Sequence, residues 1–435
     1  MTYHNAVKYI QSAPIKNGAA ESLERIRLLC ERLGSPERRL KYIRFAGSNG
    51  KTVCQTMLSS ILTESGLRVG SLIMPASGEP ESNVLVCGKQ ISMNDMLKYV
   101  SLIASTVTSL KSEIESADPE SEIPESVLSG KISIAPTQNE LIFLVALLAF
   151  RDAECNICLI ECDHNGADPT KLLAPPFAAV ICGTIPEENT KETHRIRSYL
   201  QSGISELVSA PQNGDTYKII SSACARINCR LSIPTKFDVV RLSLNSSEFV
   251  YRGERYTLGL CGRFQIHNAT TVIETVRMLN RSGANISQDA IRRGLASVSI
   301  RAKFETISVL PTIIADSTHK TEAVATMCNT LRDFKEQTGN KLRLCIQHDI
   351  PLIATYVSVL HDLGYEILEI MIPTSDKHSV PPSLDVSCPI TLYNTPKSAA
   401  KRIVAASREE GFILITAEAP LADKVRTEVL RILEF

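Results

Sequence analysis

The 435-residue chain contains no tryptophan, and its aromatic residues amount to only 5%. Proteins that hold single-stranded nucleic acid stack bases on aromatic rings, so this composition argues against such a platform. Lys+Arg and Asp+Glu both number 47, so the net charge is zero and no overall basic field attracts nucleic acid or membranes. No apolar run is long enough to span a bilayer, and the N-terminal residues are too polar for a secretory signal. We therefore expect a cytoplasmic protein that binds neither nucleic acid nor membranes.

The 13 cysteines are spread along the chain, and in a large cytoplasmic protein they are expected to be buried thiols. One cluster, Cys155, Cys158 and Cys162, invites a zinc interpretation. It lies in an apolar run typical of a buried strand, where successive side chains point to opposite faces and do not converge on one ion. We therefore expect no zinc site there.

The segment KYIRFAGSNGKT, residues 41–52, is the most informative part of the sequence. An extended apolar run enters a Gly-rich turn that ends in Lys51 and Thr52, and helix-compatible spacing follows. A strand, a glycine loop and a helix N-terminus in this order direct main-chain N–H groups and the helix dipole at a phosphate. Lys51 adds a positive charge for the outer phosphates, and Thr52 adds a hydroxyl for Mg²⁺.

The predicted phosphate-binding residues are Gly47, Ser48, Asn49, Gly50, Lys51 and Thr52. Gly47 and Gly50 allow the tight turn and the close approach of a phosphate. Only two residues separate these glycines, so the loop is shorter than the eight-residue P-loop. The alternative interpretation is a Gly-Asn turn before an ordinary helix.

Strand-like and helix-like segments alternate along the chain, which predicts an α/β fold with a mostly parallel sheet. Leu110–Leu128, rich in Ser, Glu and Pro, is predicted to be an exposed loop. The alternation restarts after Ser299, which predicts a first domain over residues 1–299, containing the phosphate loop, and a smaller Rossmann-like α/β domain over 300–435. The N-terminal elements are predicted at Ser22–Leu33, Tyr42–Ala46, Val53–Ser65, Arg68–Met74, Glu140–Phe150, Cys155–Cys162, Ala178–Gly183, His267–Leu279 and Gln288–Leu295.

With these elements placed, the chain resembles the folylpolyglutamate synthase/dihydrofolate synthase branch of the Mur ligase family over nearly its whole length. The resemblance is closest from Ser22 to Thr52. It implies an N-terminal ATPase domain, a smaller C-terminal α/β domain and an active site in the cleft between them. It also implies a reaction in which Mg²⁺-ATP activates a carboxylate as an acyl phosphate. An amino group, usually that of glutamate, then forms the amide, and ADP and phosphate leave.

The resemblance also implies roles for individual residues. Glu140, in Thr137-Gln138-Asn139-Glu140, matches a glutamate that binds Mg²⁺ together with Thr52. Asn268 in GRFQIHNA lies near the nucleotide, and Asp316 and His319 in DSTHK match a motif that contacts ATP from the C-terminal domain. Lys51 and His319 are the predicted catalytic residues, and Lys303 stands where the family has an arginine at the domain junction. Further matching positions are Glu161, Gln265, Ala269, Asp168 and Thr170.

Lys303, Asp316 and His319 all lie beyond the predicted boundary, so they are expected to reach the phosphates only when the two domains close. Their alternative interpretations are a surface lysine, a helix-capping aspartate and a solvated histidine.

Other family positions carry different residues. Pro186–Asn189 replaces an Asp-His pair, and Gln201 replaces a lysine that becomes carbamylated near a second metal. In the folate pocket, Met74-Pro75-Ala76 replaces Ser-Pro-His and Ser82-Asn83 replaces Glu-Arg. The remaining differences are His164 in an altered turn, Phe264, Lys320 and Ala417-Glu418. These changes favour a substrate other than folate.

Three functions are compatible with parts of this pattern. The first is an ATP-dependent ligase for a small carboxylate and an amino acid, which we expect to be a monomer. The second is a non-catalytic or regulatory relative that still binds nucleotide. The third is an unrelated P-loop kinase or NTPase, which leaves Asp316 and His319 unexplained. The intact phosphate loop and Glu140 favour retained ATP chemistry.

Overall fold

The computed structural model of the chain describes residues 1–15, 19–47, 49–74, 79–116, 123–161, 178–185, 200, 204–319, 321–373 and 386–434. They form two compact units. The first unit comprises Met1–Pro234 and Thr270–Gly294, and the second comprises Thr235–Ala269 and Leu295–Phe435. The sequence pattern did not indicate that residues 235–269 belong to the second unit. The predicted domain boundary at residue 299 stays a prediction.

An eight-stranded sheet forms the centre of the first unit. Its strands are β1 (Tyr42–Ala46), β2 (Val69–Leu72), β3 (Val84–Val86), β4 (Lys89–Gln90), β5 (Ile157–Glu161), β6 (Ala178–Ile181), β7 (Glu206–Ser209) and β8 (Arg230–Ser232). They lie in the order β4-β3-β2-β5-β1-β6-β7-β8, and only the β2–β3 and β3–β4 pairs are antiparallel. β1 is therefore a central parallel strand, and the loop after it lies at the carboxyl edge of the sheet, where α/β proteins place their ligands.

The helices of this unit alternate with the strands. They are α1 (Tyr3–Ser12), α2 (Ala19–Arg32), α3 (Lys51–Glu64), α4 (Met93–Glu115), α5 (Glu125–Leu128), α6 (Gln138–Asp152) and α7 (Gly214–Arg226), with α8 (Arg263–Arg281) and α9 (Gln288–Ser297) belonging partly to each unit. Short 3₁₀ turns cover Pro36–Arg39 and Pro80–Asn83. From Glu140 to Phe150 every residue of α6 is buried, which explains why its sequence is apolar on all sides.

The second unit contains two sheets. β9 (Asp238–Ser243), β10 (Ser246–Tyr251) and β11 (Glu254–Leu258) form an antiparallel meander. The larger sheet has six strands, β12 (Glu305–Val309), β13 (Thr312–Asp316), β14 (Lys341–Gln347), β15 (Glu366–Pro373), β16 (Ile390–Tyr393) and β17 (Phe412–Ala417). Their order is β12-β13-β17-β14-β15-β16, and all pairs except β12–β13 are parallel. Its helices are α10 (Thr321–Arg332), α11 (Lys335–Thr338), α12 (Ile350–Asp362), α13 (Pro396–Ala406) and α14 (Ala419–Leu433).

The predicted fold class is confirmed, since both units are α/β and their large sheets are mostly parallel. The predicted loop over Leu110–Leu128 was wrong in part, because α4 continues to Glu115 and α5 begins at Glu125. The helical signal was present further upstream. Ser92 caps the start of α4, and an apolar stripe of buried residues repeats at helical spacing through Met96, Tyr99, Val100, Ile103, Val107 and Leu110.

Within the described ranges, no helix combines the length and the apolarity needed to cross a bilayer. The cysteines in this part of the chain are free thiols, and Cys155 and Cys158 are buried. The described residues include no group of three or more His, Cys, Asp or Glu side chains that could hold a metal ion. Cys162 lies outside these residues.

Candidate nucleotide-binding site

The turn after β1 runs directly against the end of β6. The Cys182 N–H donates to the carbonyl of Ala46 at 2.8 Å. Gly47 has φ of +120°, and a Cβ there would lie 2.2 Å from the carbonyl oxygen of Cys182. Only glycine fits this position, because both the backbone conformation and the space exclude a side chain.

The loop ends at the start of α3 in the manner the sequence predicts. Gly50, with φ of +80°, is the N-cap and has no side chain to accept the first N–H groups of the helix. Lys51 is the first helical residue, and the positive end of a 14-residue helix therefore faces the loop. Lys51 is 8% exposed, and its Nζ donates to the carbonyl of Gly47 at 2.9 Å. The lysine thus closes the loop on itself.

Thr52 is half-buried in the first turn of α3, and Asn49 is half-buried in the loop. The carbonyl oxygen of Asn49 lies 3.0 Å from the place that a Cβ on Gly183 would occupy, so the loop also passes close to the chain that follows β6. Ser48 lies outside the described residues. Every described residue of the predicted loop therefore lies at the carboxyl edge of the central sheet.

Glu161 lies at this same edge, as the last residue of β5 and the register partner of Phe45 in β1. Its side chain is buried, and its Oε2 accepts the Met74 N–H at 3.5 Å. Burial holds the pKa of the Cys182 thiol well above its usual range. The neighbouring Cys54 and the charge of Glu161 raise this pKa further, whereas the charge of Lys51 lowers it. Lys51 and Glu161 thus both contribute to the electrostatic environment of this buried thiol.

Glu140 has a different set of partners from those expected of a metal ligand. Its carboxylate accepts two hydrogen bonds from the buried Arg25, Nε to Oε2 at 3.0 Å and Nη2 to Oε1 at 2.7 Å. The main-chain N–H of Thr137 donates to Oε2 at 2.7 Å, which completes a capping box at the start of α6. These donors account for a buried glutamate here without any metal. The predicted Mg²⁺-ligand role of Glu140 stays a prediction.

In the second unit, Asp316 ends β13 and is buried. Its Oδ2 accepts the Phe304 N–H at 2.9 Å, and its Oδ1 accepts the Thr318 N–H at 2.7 Å. The exposed His319 follows, with Nδ1 3.2 Å from the carbonyl oxygen of Ser317. The two predicted residues thus lie together at the carboxyl edge of the six-stranded sheet.

The half-buried Lys303 stands between two residues with positive φ, Ala302 at +49° and Phe304 at +53°. Left-handed backbone at non-glycine residues is strained and persists only where other contacts enforce it. The bond from Phe304 to Asp316 is such a contact, so Asp316 fixes the turn that carries Lys303. Asn268, the other predicted nucleotide contact, lies in α8 and donates from its Nδ2 to Oε1 of Gln265 at 3.0 Å.

Sequence reasoning missed three features of these sites. Arg25 is one, although an arginine in the apolar register of α2 was a usable signal. The second is the contact of Cys182 with the loop, which the sequence alone does not indicate because it depends on the order of the strands. The third is a cluster around His348, which follows β14. The predicted or compared positions Pro75, Ala76, His164, Asp168, Thr170, Pro186–Asn189, Gln201 and Lys320 lie outside the described residues.

Comparisons with known proteins agree on one family. The chain is 24% identical over 352 residues to the dihydrofolate synthase/folylpolyglutamate synthase of Mycobacterium tuberculosis, covering 73% of this chain and 68% of that protein. It is 23% identical to a probable bifunctional folylpolyglutamate synthase/dihydropteroate synthase of Halobacterium salinarum, covering 77% of this chain but only 38% of that protein. No protein-family profile matches the chain.

Solved structures show the same fold. The Mycobacterium tuberculosis folylpolyglutamate synthase complexed with ADP and AMPPCP superposes with a TM-score of 0.75 at 19% identity, covering 98% of both chains. The predicted resemblance is therefore confirmed along most of the sequence. The chain is thus a distant homologue of folylpolyglutamate synthases and dihydrofolate synthases over most of its length.

Proposed function

We propose that the chain is an ATP-dependent ligase that joins an amine to a carboxylate through an acyl phosphate. The observation that carries the proposal is the closed loop from Gly47 to Lys51, which combines an uncapped helix N-terminus with a buried lysine ammonium. Phosphoryl transfer requires mainly positioning and neutralisation of charge, and these groups supply both. The nucleotide bound in the related Mycobacterium tuberculosis structure supports ATP as the cofactor.

In this proposal Lys51 exchanges the Gly47 carbonyl for the outer phosphates of ATP, and the first N–H groups of α3 bind the remaining phosphate oxygens. His319, Lys303 and Asn268 keep their predicted roles at the nucleotide. Asp316 was predicted to contact ATP, and we propose instead that it holds the turn of Lys303, because both of its carboxylate oxygens already accept main-chain N–H groups.

The oxygen donors at the loop fit a magnesium ion. Mg²⁺ prefers carboxylate and hydroxyl oxygens and keeps several of its waters. Thr52 supplies a hydroxyl, and we assign the carboxylate to Glu161 at the same sheet edge rather than to Glu140, whose oxygens accept from Arg25 and Thr137. When bound, the ion would neutralise charge on the phosphates.

The two candidate metal ligands make opposite predictions. Glu161→Gln is expected to raise the Mg²⁺ concentration needed for nucleotide binding while folding remains close to normal. Glu140→Gln is expected to destabilise the fold by about 3–5 kcal/mol, because it leaves the buried Arg25 charge without its partner. Urea unfolding and Mg²⁺ titration of ATP binding measure the two effects. A large Mg²⁺ shift in Glu140→Gln alone would reverse the assignment.

A substrate other than folate is supported by the turn after β2. Asn83 stands where the family has an arginine, and its side chain is buried and donates to the carbonyl of Ile73 at 2.9 Å. It therefore offers no positive charge to a ligand. The neighbouring Glu81 is also buried and accepts the Tyr3 hydroxyl at 2.5 Å, which helps to raise the pKa of Tyr3 to about 12, after the larger contribution of burial. A folate carboxylate finds no cation among Glu81, Ser82 and Asn83.

The test is ADP release measured against a panel of carboxylates, each with and without glutamate or another amino acid, with dihydropteroate and tetrahydrofolate included. We expect ADP release that depends on both a carboxylate and an amine, with folates among the poorer substrates. Tight folate binding with glutamate-dependent ADP release would refute the substrate proposal and retain the ligase. Binding of Mg²⁺-ATP without ADP release for any pair would instead favour the non-catalytic relative.

A further inference from the structure

A polar cluster at the carboxyl edge of the six-stranded sheet has no part in the roles assigned so far. Three elements contribute to it. His348 follows β14, Thr416 lies near the end of β17, and Tyr356 lies in α12. Thr416 and Tyr356 are fully buried, whereas His348 is half-buried. His348 is thus the member of this cluster that a ligand can reach.

The hydrogen bonds of the cluster determine which nitrogen of His348 carries the proton. The Tyr356 hydroxyl donates to the carbonyl of Thr318 at 2.8 Å, and the Thr416 hydroxyl donates to the Tyr356 oxygen at 2.9 Å. Each hydroxyl has one proton, and both protons are used in these bonds. The contact between His348 Nε2 and Thr416 Oγ1, at 3.4 Å, therefore requires the histidine to donate. In the neutral imidazole this leaves Nδ1 as a proton acceptor.

The ring of His348 is also held in place. It stacks on the ring of Tyr356 with a centroid distance of 5.8 Å and an interplanar angle of 4°. A fixed ring with a defined tautomer is the arrangement that a general base needs. The same hydrogen-bond chain ends on Thr318, between Asp316 and His319, so it ties His348 to the motif predicted to contact ATP.

The charges around His348 suit proton transfer from a cation. Burial lowers the pKa of His348, His319 lowers it further, and Glu418, Asp349 and Asp316 oppose the shift. Burial therefore favours the neutral imidazole, which is the form that can accept a proton. Asp349 caps the start of α12 through its Oδ1, and Glu418 is exposed. The carboxylates would attract an ammonium group and stabilise the imidazolium once it forms.

We infer that His348 is the general base that takes a proton from the ammonium group of the amine substrate through Nδ1. This role rests on the proposed ligase function. The freed amine attacks the carbonyl carbon of the acyl phosphate, a C–N bond forms, and the C–O bond to phosphate breaks with its electron pair leaving on the phosphate. The second surplus proton on nitrogen goes to the departing phosphate, and His348 returns its proton to solvent.

The inference is tested with two nucleophiles that differ in protonation. Amino acids are ammonium ions at pH 7.5 and need a base, whereas hydroxylamine is uncharged at that pH and traps acyl phosphates directly as hydroxamates. His348→Gln keeps an N–H donor for Thr416 but has no proton-accepting nitrogen. We expect this variant to lose about 100-fold in amide formation with amino acids and to keep hydroxamate formation. His361→Gln, at the exposed end of α12, is the matched control and should retain both activities.

The pH profile of the unaltered protein gives a second test that needs no variant. With an amino acid, turnover should rise to a plateau along an acidic limb below pH 6.5, because the pKa of His348 is lowered. With hydroxylamine this limb should be absent. A rate with amino acids that climbs steadily to pH 9 would mean that solvent takes the proton and would overturn the inference.

The outcomes separate this inference from the function on which it rests. Hydroxamate formation with unchanged amino-acid turnover in His348→Gln overturns the role of His348 and leaves the ligase intact. Equal losses with both nucleophiles also overturn it, because they indicate a structural role. If the unaltered protein forms no hydroxamate from any carboxylate, the ligase function fails, and the role of His348 falls with it.

Discussion

Replacing Lys51 with alanine is expected to weaken Mg²⁺-ATP binding by about 10- to 100-fold, the value of one hydrogen-bonded charge on a phosphate. The ammonium has two tasks in the structure. It is the buried cation at the helix N-terminus, and it closes the loop by donating to Gly47. Alanine removes both, while the main-chain N–H groups of α3 remain.

Calorimetric titration with ATP measures this loss. Lys51→Met is the companion variant, because it keeps most of the buried aliphatic stem and removes only the charge. Lys218→Ala, which removes an exposed lysine from α7, should bind ATP as the unaltered protein does. Equal affinity in Lys51→Ala and the unaltered protein would defeat the proposed nucleotide site.

A single methyl group at Gly47 is expected to abolish nucleotide binding. The added Cβ would lie 2.2 Å from the carbonyl oxygen of Cys182, and the neighbouring atom is main chain, which has little freedom to move. The residue would also need φ of +120°, a conformation that L-residues with a Cβ rarely adopt. The loop must therefore shift away from β6, and its N–H groups lose their common direction.

Gly66→Ala is the matched control for this variant. Gly66 follows the other end of α3 with φ of +87°, and a Cβ there meets nothing within 4 Å. Gly66→Ala therefore introduces the backbone strain of Gly47→Ala without the steric clash, and it should lower the free energy of unfolding by about 1 kcal/mol. Thermal unfolding and ATP titration of both variants separate the two effects. If Gly47→Ala binds ATP as well as Gly66→Ala does, the close approach to Cys182 has no functional role.

The strand, the glycine turn and the helix around the loop could be predicted from the sequence because their geometry is local. Gly47, Gly50 and Lys51 are within five positions of one another, and the strand and helix on either side have clear periodicity. The same reasoning named Glu140 as the Mg²⁺ ligand and had no means of weighing Glu161 against it. That choice depends on which strand pairs with β1 and on the position of Arg25, both set by contacts between residues far apart in the sequence.

The His348 cluster was even harder to predict from the sequence. Each of its residues is ordinary in its own segment, and His348 alone is only a histidine after a strand. Its chemistry depends on the sheet order, in which β17 lies beside β14 and brings Thr416 to the histidine. The meander over β9–β11 was also missed, although the alternate positions Ser247, Phe249 and Tyr251 of β10, which are all buried, place two aromatic residues at strand spacing, and this was a usable signal.

The two hydrogen bonds of the Asp316 carboxylate limit what an aspartate at that position indicates about catalysis. Its two oxygens satisfy the main-chain N–H groups of Phe304 and Thr318, one of which belongs to a strained turn. An asparagine side chain has only one oxygen and would leave one of those groups unsatisfied. A chain of this fold that has abandoned catalysis would still gain stability from the acid, by about 1–3 kcal/mol for the N–H group that an asparagine would leave unsatisfied. Its presence in a relative is therefore a sign of architecture, and activity must be judged from residues whose polar atoms the fold itself does not require.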